Sequence, residues 1–341
     1  MEKLRVAVIG CGSIHRMHTT AITILNQSDL VAVCDINEEK AATTGNYYSV
    51  PYYTDYKELI SSEKIDVVHI CTPHFLHTTI AQYSLSHGIH VLSEKPMAIE
   101  YEDAKSTVEL AERMKLNYGV IFQCRYNDAS VFVKNKLEDG SLGKIQGARA
   151  VLTWNRSKEY YANSDWKGTI DKEGGGVIID QAIHSLDLIT WFINSELRSI
   201  EATITNHAHD YINVEDTAEG FLVFKDGTKA MFWATNCYTY DEPVEIRLFC
   251  ENGTVILTYD DARITYNNGQ VVSITQRNAT VGDYLGGKQC WGLSHKIQIE
   301  QFYNSIINGI EPEISGRQAL KTQFLINEIY RSSKNHIRII F

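Results

Sequence analysis

Asp180 and His184 stand four residues apart in Gly174-Gly-Gly-Val-Ile-Ile-Asp180-Gln-Ala-Ile-His184, an apolar run introduced by three glycines. On a helix that spacing stacks both side chains on one face. A carboxylate beside an imidazole can hold and orient a proton-transfer group, and an imidazole with a pKa of about 6.5 suits base chemistry near neutrality. The plainer description of the pair is a buried helix with one capped carboxylate and one core histidine. A third candidate is Lys95 in Glu94-Lys95-Pro96, where the proline favours extended geometry before it and ends a strand. That leaves an ammonium at a sheet edge. His74 and His77 have the three-residue spacing of a helical ligand pair. No cysteine or carboxylate cluster adjoins them in the sequence, so no metal is expected.

The elements that must position these groups begin with Leu4-Arg-Val-Ala-Val-Ile-Gly10, a short β-branched run suited to a buried parallel strand. It leads into Gly10-Cys-Gly12-Ser13-Ile14-His15 and a helical segment through Leu25. Gly10 permits the tight turn, and Gly12 lets backbone approach a pyrophosphate at the helix N-terminus. The third fingerprint position, usually Gly or Ala, is His15 here. A second strand ends at Asp35, where a carboxylate accepts hydrogen bonds from ribose hydroxyls and repels a 2′-phosphate. No Arg or Lys follows directly, so NAD is expected over NADP.

Helix and strand signals then alternate. Helices are expected near 55–61, 75–87 and 101–114, and strands near 65–71, 89–93 and 117–122. This predicts a parallel sheet wrapped by helices, with ligands at the carboxyl ends of its strands. Thr72-Pro73 and Glu94-Lys95-Pro96 occupy two of those ends.

At 341 residues, two domains are expected, 1–122 and 123–341. A net charge of -10 argues against nucleic acid or an anionic membrane as the main partner. The start of the chain has no signal-peptide pattern, and no apolar stretch is long enough to cross a bilayer. Seven cysteines without regular spacing predict reduced thiols in a cytoplasmic protein.

Together, Gly10-x-Gly12 with His18 downstream, Thr72-Pro73 with His77, Glu94-Lys95-Pro96, and Gly174-Gly-Gly through Asp180-x-x-x-His184 resemble the Gfo/Idh/MocA family of NAD(P)-dependent sugar and polyol oxidoreductases. Weaker echoes are Gly143-Lys-Ile and the His295…Phe302…Gly309…Pro312 segment, so the resemblance covers nearly the whole length. It implies a Rossmann NAD-binding domain followed by an α/β domain with a large, open, mostly antiparallel sheet. In the family that sheet builds homodimers or homotetramers. The second half agrees, with β-rich runs at 145–154, 199–206, 219–225, 229–237, 244–250 and 254–259, and turns at Asp226-Gly227, Asn252-Gly253 and Asn268-Gly269. Helices are expected at 294–308 and 318–332.

The resemblance assigns cofactor binding to Gly10, Gly12, Ser13, Ile14, Asp35, Thr72, Pro73, His77, Glu94 and Lys95, and catalysis to Lys95, Asp180 and His184. Oxidising a secondary alcohol removes a hydride and a hydroxyl proton. His184 would act as the base, Lys95 would stabilise the developing alkoxide, and Asp180 would orient. Trp154, Arg156, Tyr160, Tyr161, Trp166 and Lys167 are candidate sugar contacts, as are Arg125 and Tyr126 after the last Rossmann strand. Arg125 equally suits an interdomain salt bridge. The expected reaction is oxidation of a ring hydroxyl of a sugar, sugar derivative or cyclitol by NAD. The alternatives are a cofactor-binding regulator without turnover, which should lack Lys95 or His184, and a transient-oxidation enzyme that retains its NAD.

Overall fold

Six short parallel strands carry the N-terminal half, in a computed structural model that describes residues 2–258, 261–275 and 294–341. The chain divides into two units. The described residues 2–123 and 294–320 form one, and 124–258, 261–275 and 321–341 form the other.

In the first unit the strands are β1 (Leu4–Ile9), β2 (Ser28–Cys34), β3 (Tyr52–Tyr53), β4 (Val67–Ile70), β5 (His90–Ser93) and β6 (Tyr118–Val120). They alternate with α1 (His15–Ile24), α2 (Glu38–Tyr48), α3 (Tyr56–Ser62), α4 (His77–Ser86) and α5 (Tyr101–Met114). All four residues of β4 are buried, as continuous apolar runs in a helix-covered parallel sheet require. The order β3-β2-β1-β4-β5-β6 reverses between β1 and β4, and such a switch point opens a crevice at the carboxyl ends of the strands. This is the expected Rossmann arrangement.

The second unit is built from α6 (Asp128–Glu138), β7 (Ile145–Thr153), α7 (Lys158–Ala162), α8 (Ile183–Ile193), β8 (Leu197–Thr205), β9 (Thr217–Phe224), β10 (Lys229–Thr235), β11 (Glu245–Cys250), β12 (Gly253–Thr258), β13 (Asp261–Tyr266) and β14 (Val271–Thr275). After these come α9 (His295–Asn308), α10 (Gly316–Asn335) and β15 (Ile339–Ile340). The second sheet runs β14-β13-β12-β11-β7-β10-β9-β8-β15, and its pairs are antiparallel except β7 with β10. That is the mixed, mostly antiparallel sheet expected. Strands β13 and β14 are additions to the sequence reading, and Tyr259, expected to end β12, lies outside the described residues. In the first unit, Ile299, Phe302 and Tyr303 of α9 pack into the core around Val8, Ile22, Val67 and Leu92.

Asp180 and His184 do not share one regular α-helix. Asp180 lies in a wide π-helical turn, Ile178–Ala182, and α8 begins only at Ile183. The cause is local. Glu215 accepts the N–H groups of Gly176 (2.9 Å) and Ile178 (3.1 Å) with its carboxylate, and that of Val177 (3.1 Å) with its carbonyl. A carboxylate on the free N–H groups at a helix start also complements the dipole.

Candidate active site

The glycine loop of the first unit is shaped by close approach. Gly10 has φ +100°, and a Cβ there would lie 2.5 Å from the Cys71 carbonyl group at the end of β4. Only glycine meets both demands. Asp35, at the end of β2, clamps the loop: one carboxylate oxygen accepts the Cys11 N–H at 2.7 Å and the other the Asn37 N–H at 2.9 Å. A Cβ on Gly12 would meet nothing within 4 Å, Ser13 is exposed and Ile14 half-buried. Helix α1 has no side-chain cap and no acidic residue in its first turn, so its N-terminal donors suit an anion. These features fit a dinucleotide pyrophosphate. His15 is buried and its Nδ1 meets the Gly12 carbonyl, so the bulky third-position residue folds back onto its own loop.

At the ends of β4 and β5 a fully buried His77 bridges two loops, its Nε2 on the Thr72 carbonyl (2.8 Å) and its Nδ1 on the Pro96 carbonyl (2.7 Å). Burial lowers its pKa and the two carbonyls oppose that shift, because a ring with an N–H on each nitrogen donates to both while the neutral ring donates to one. His77 therefore holds the Thr72-Pro73 and Lys95-Pro96 loops together; the latter contains a cis peptide bond. Lys95 is half-buried. Beside it, Glu94 is 6% exposed, and its Oε1 accepts His18 Nε2 at 3.0 Å and His295 Nε2 at 3.3 Å. Burial pushes this carboxyl up, but the two imidazole contacts outweigh it and hold the pKa well below the usual range. Burial keeps His18 neutral, so its Nε2–H is the donor. His18, Glu94 and His295 are also the one trio with metal-ligand spacing among the described residues, and both Nε2 atoms face the same carboxylate oxygen.

In the second unit Asp180 gathers polar groups. Its Oδ2 accepts the Tyr160 hydroxyl (2.9 Å), the Lys167 ammonium (3.0 Å) and the Gln181 amide (2.6 Å). Lys167 also contacts the Tyr160 hydroxyl, and its ammonium lies 4.3 Å from the Tyr160 ring centre and 4.9 Å from that of Trp166. Burial, then the Asp180 charge, drive the Tyr160 hydroxyl well above its ordinary pKa, so it is a donor. Tyr161 is buried and accepts the Asn236 amide at 3.0 Å. Arg156 stacks 4.7 Å from the Trp154 ring, whose N–H reaches the Glu242 carbonyl at 3.2 Å. His184 and Tyr126 are half-buried.

Arg125 forms a buried two-pronged pair with Asp187 of α8 at 2.7 and 2.6 Å, and Thr322 donates to the same carboxylate at 2.7 Å. Arg125, which equally suits a substrate contact or an interdomain salt bridge, thus pairs within one unit. No sequence motif marks Asp187, Glu215 or Tyr330, whose hydroxyl donates to Glu215 at 2.9 Å. Glu173 is a further buried carboxylate of this unit. Burial and then the Asp180 charge raise its carboxyl to about 8. Asp187, Glu215 and Tyr330 are each distant in the chain from the residue they serve, so no local pattern marks them.

Residues 4–122 match the model of the oxidoreductase family with an NAD-binding Rossmann fold, and residues 131–256 match the GFO/IDH/MocA C-terminal domain. The chain is 24% identical to D-glucoside 3-dehydrogenase of Escherichia coli (strain K12), over 98% of this chain and 97% of that protein. It is 23% identical to D-apiose dehydrogenase of Paraburkholderia graminis, over 98% and 88%. Among solved structures, the WlbA dehydrogenase from Bordetella pertussis in complex with NADH and UDP-GlcNAcA superposes with a TM-score of 0.86 at 26% identity, covering 100% of this chain and 99% of that one. Levoglucosan dehydrogenase in complex with NADH and levoglucosan shares the fold, with a TM-score of 0.89 at 19% identity and 99% of each chain covered. With both its halves matched, the chain belongs to the Gfo/Idh/MocA family of oxidoreductases.

Proposed function

We propose that this protein is an NAD-dependent dehydrogenase that oxidises a ring secondary hydroxyl of a sugar, sugar derivative or cyclitol. One observation carries the reading. The chain aligns from end to end with relatives named as sugar dehydrogenases, and its Rossmann loop keeps Asp35 clamped beside Gly10 and Gly12.

Gly10, Gly12, Ser13, Ile14, Asp35, Thr72, Pro73, His77, Glu94 and Lys95 form the cofactor site in this reading. When bound, NAD supplies the hydride acceptor. Asp35 favours it over NADP by repelling a 2′-phosphate. His77 acts by joining the Thr72 and Pro96 loops.

His184 takes the hydroxyl proton as general base, and Lys95 supports the negative charge developing on the oxygen. Asp180 orients. Its carboxylate fixes Tyr160 and Lys167, which suit a polyhydroxylated ligand, while Trp154, Trp166 and Tyr126 offer ring surface. Arg125 serves the substrate through its grip on α8 at Asp187. The protein assembles as a homodimer or homotetramer through the exposed face of the second sheet. The test is a panel of aldoses, cyclitols and nucleotide sugars incubated with NAD and purified protein, with reduced nicotinamide as the readout. Turnover of at least one ring alcohol supports the proposal, and none across the panel contradicts it.

A further inference from the structure

Five side chains of the first unit make one continuous buried line. The Tyr303 hydroxyl meets His69 Nε2 at 2.9 Å, His69 Nδ1 meets His18 Nδ1 at 2.9 Å, and His18 Nε2 meets Glu94 Oε1 at 3.0 Å. His295 Nε2 reaches the same oxygen at 3.3 Å, and Glu94 Oε2 accepts the backbone N–H of Lys95 at 3.2 Å. Tyr303, His69 and His18 are wholly buried, and His295 is 4% exposed.

A carboxylate only accepts, so His18 Nε2 must carry hydrogen. With a neutral His18, its Nδ1 accepts from His69 Nδ1–H, which leaves His69 Nε2 to accept from Tyr303. Every donor then points toward Glu94. The line ends on a fully buried tyrosine, so it offers no exit for a proton to solvent. What it does is sustain one fixed negative charge in the interior, at the carboxyl end of β5, next to Lys95.

We infer that Glu94, hydrogen-bonded by His18 at the end of the His18–His69–Tyr303 line and by His295, is a charge-setting residue that favours the oxidised, cationic nicotinamide over the neutral reduced one, with Lys95 acting in the opposite sense. The inference rests on the reading that this unit binds a nicotinamide dinucleotide. A fixed anion attracts the positive ring of NAD+ and has no matching attraction for NADH, so its effect appears in the ratio of the two affinities. The remaining titratable groups on this line are the three imidazoles and the Tyr303 phenol; burial holds His18 and His69 on the neutral side and pushes the phenol well above its ordinary range.

The test is to titrate NAD+ and NADH separately into the purified full-length protein by calorimetry and take the ratio of Kd for NAD+ to Kd for NADH. Glu94→Gln keeps the shape and removes the charge. It should raise that ratio about five- to tenfold, a tenfold change equalling about 30 mV in the bound two-electron couple. Lys95→Met should lower the ratio about threefold or more. A folded Glu94→Gln protein with an unchanged ratio overturns the inference. If Glu94→Gln does not fold, Lys95→Met is read alone: a lowered ratio supports the charge-setting account and an unchanged one overturns it. If the unmodified protein binds neither nucleotide, the cofactor reading fails instead.

Discussion

Tyr160 donates a hydrogen bond to Asp180 at 2.9 Å, and Lys167 reaches the same carboxylate oxygen at 3.0 Å. That carboxylate is thus the hub of a polar cluster in the second unit. In the proposed mechanism Asp180 organises substrate contacts. Asp180→Asn should therefore raise KM for the sugar more than it lowers kcat, because an amide still accepts from both donors. Steady-state kinetics measure the split, and a loss confined to kcat contradicts it.

Much of the first unit is legible in the sequence because each signal there is local. Leu4–Ile9 is a mostly apolar, β-branched strand, Gly10 marks a turn, and Asp35 follows the next strand. The turn at Asp180 has no such local signal. This π-helical turn depends on Glu215, thirty-five positions on by the numbering, which secures the N–H groups at the start of that turn. The bridging role of His77 was equally hidden, since both its partners are carbonyl oxygens and carbonyls have no sequence signature.

The glycines before Asp180 are required by contact. A Cβ on Gly176 would lie 1.8 Å from the Glu215 carbonyl oxygen, and one on Gly175 would lie 2.0 Å from the Tyr330 hydroxyl. Gly176→Ala should destabilise the second unit by at least about 3 kcal/mol, through displacement of rigid backbone. Thermal unfolding beside wild type checks this. A melting temperature within a degree or so of wild type would show that the turn relaxes.

Glu173 makes stability depend on pH. Burial and the Asp180 charge raise its carboxyl to about 8, whereas in the unfolded chain it titrates near about 4.3. Between those values the fold holds a proton that the unfolded chain has released. The stabilisation is therefore complete below about pH 4.3 and is lost as pH climbs toward 8. Glu173→Gln removes this dependence. Its melting temperature relative to wild type should rise from pH 5 to pH 8, and parallel curves for the two proteins would refute the assignment.

The outer face of the second sheet exposes Phe221, Met231, Trp233 and Phe249 at 61%, 44%, 38% and 45%. Phe221 and Met231 are directly paired across β9 and β10, so the apolar surface is contiguous there. Surfaces of this kind mark interfaces. Light scattering should find a dimer or tetramer for wild type and a smaller species for Phe221→Asp combined with Trp233→Asp. A wild-type monomer would remove the interface from the account.

The central claim is that His184 is the base of a cofactor-dependent alcohol oxidation. Once a substrate is identified from the panel, the direct measurement is NADH formation in a single turnover by wild type and His184→Ala, with NAD affinity measured on the same samples. The account predicts that His184→Ala loses at least about a hundredfold in rate while binding NAD as wild type does. A fully active His184→Ala protein would contradict it.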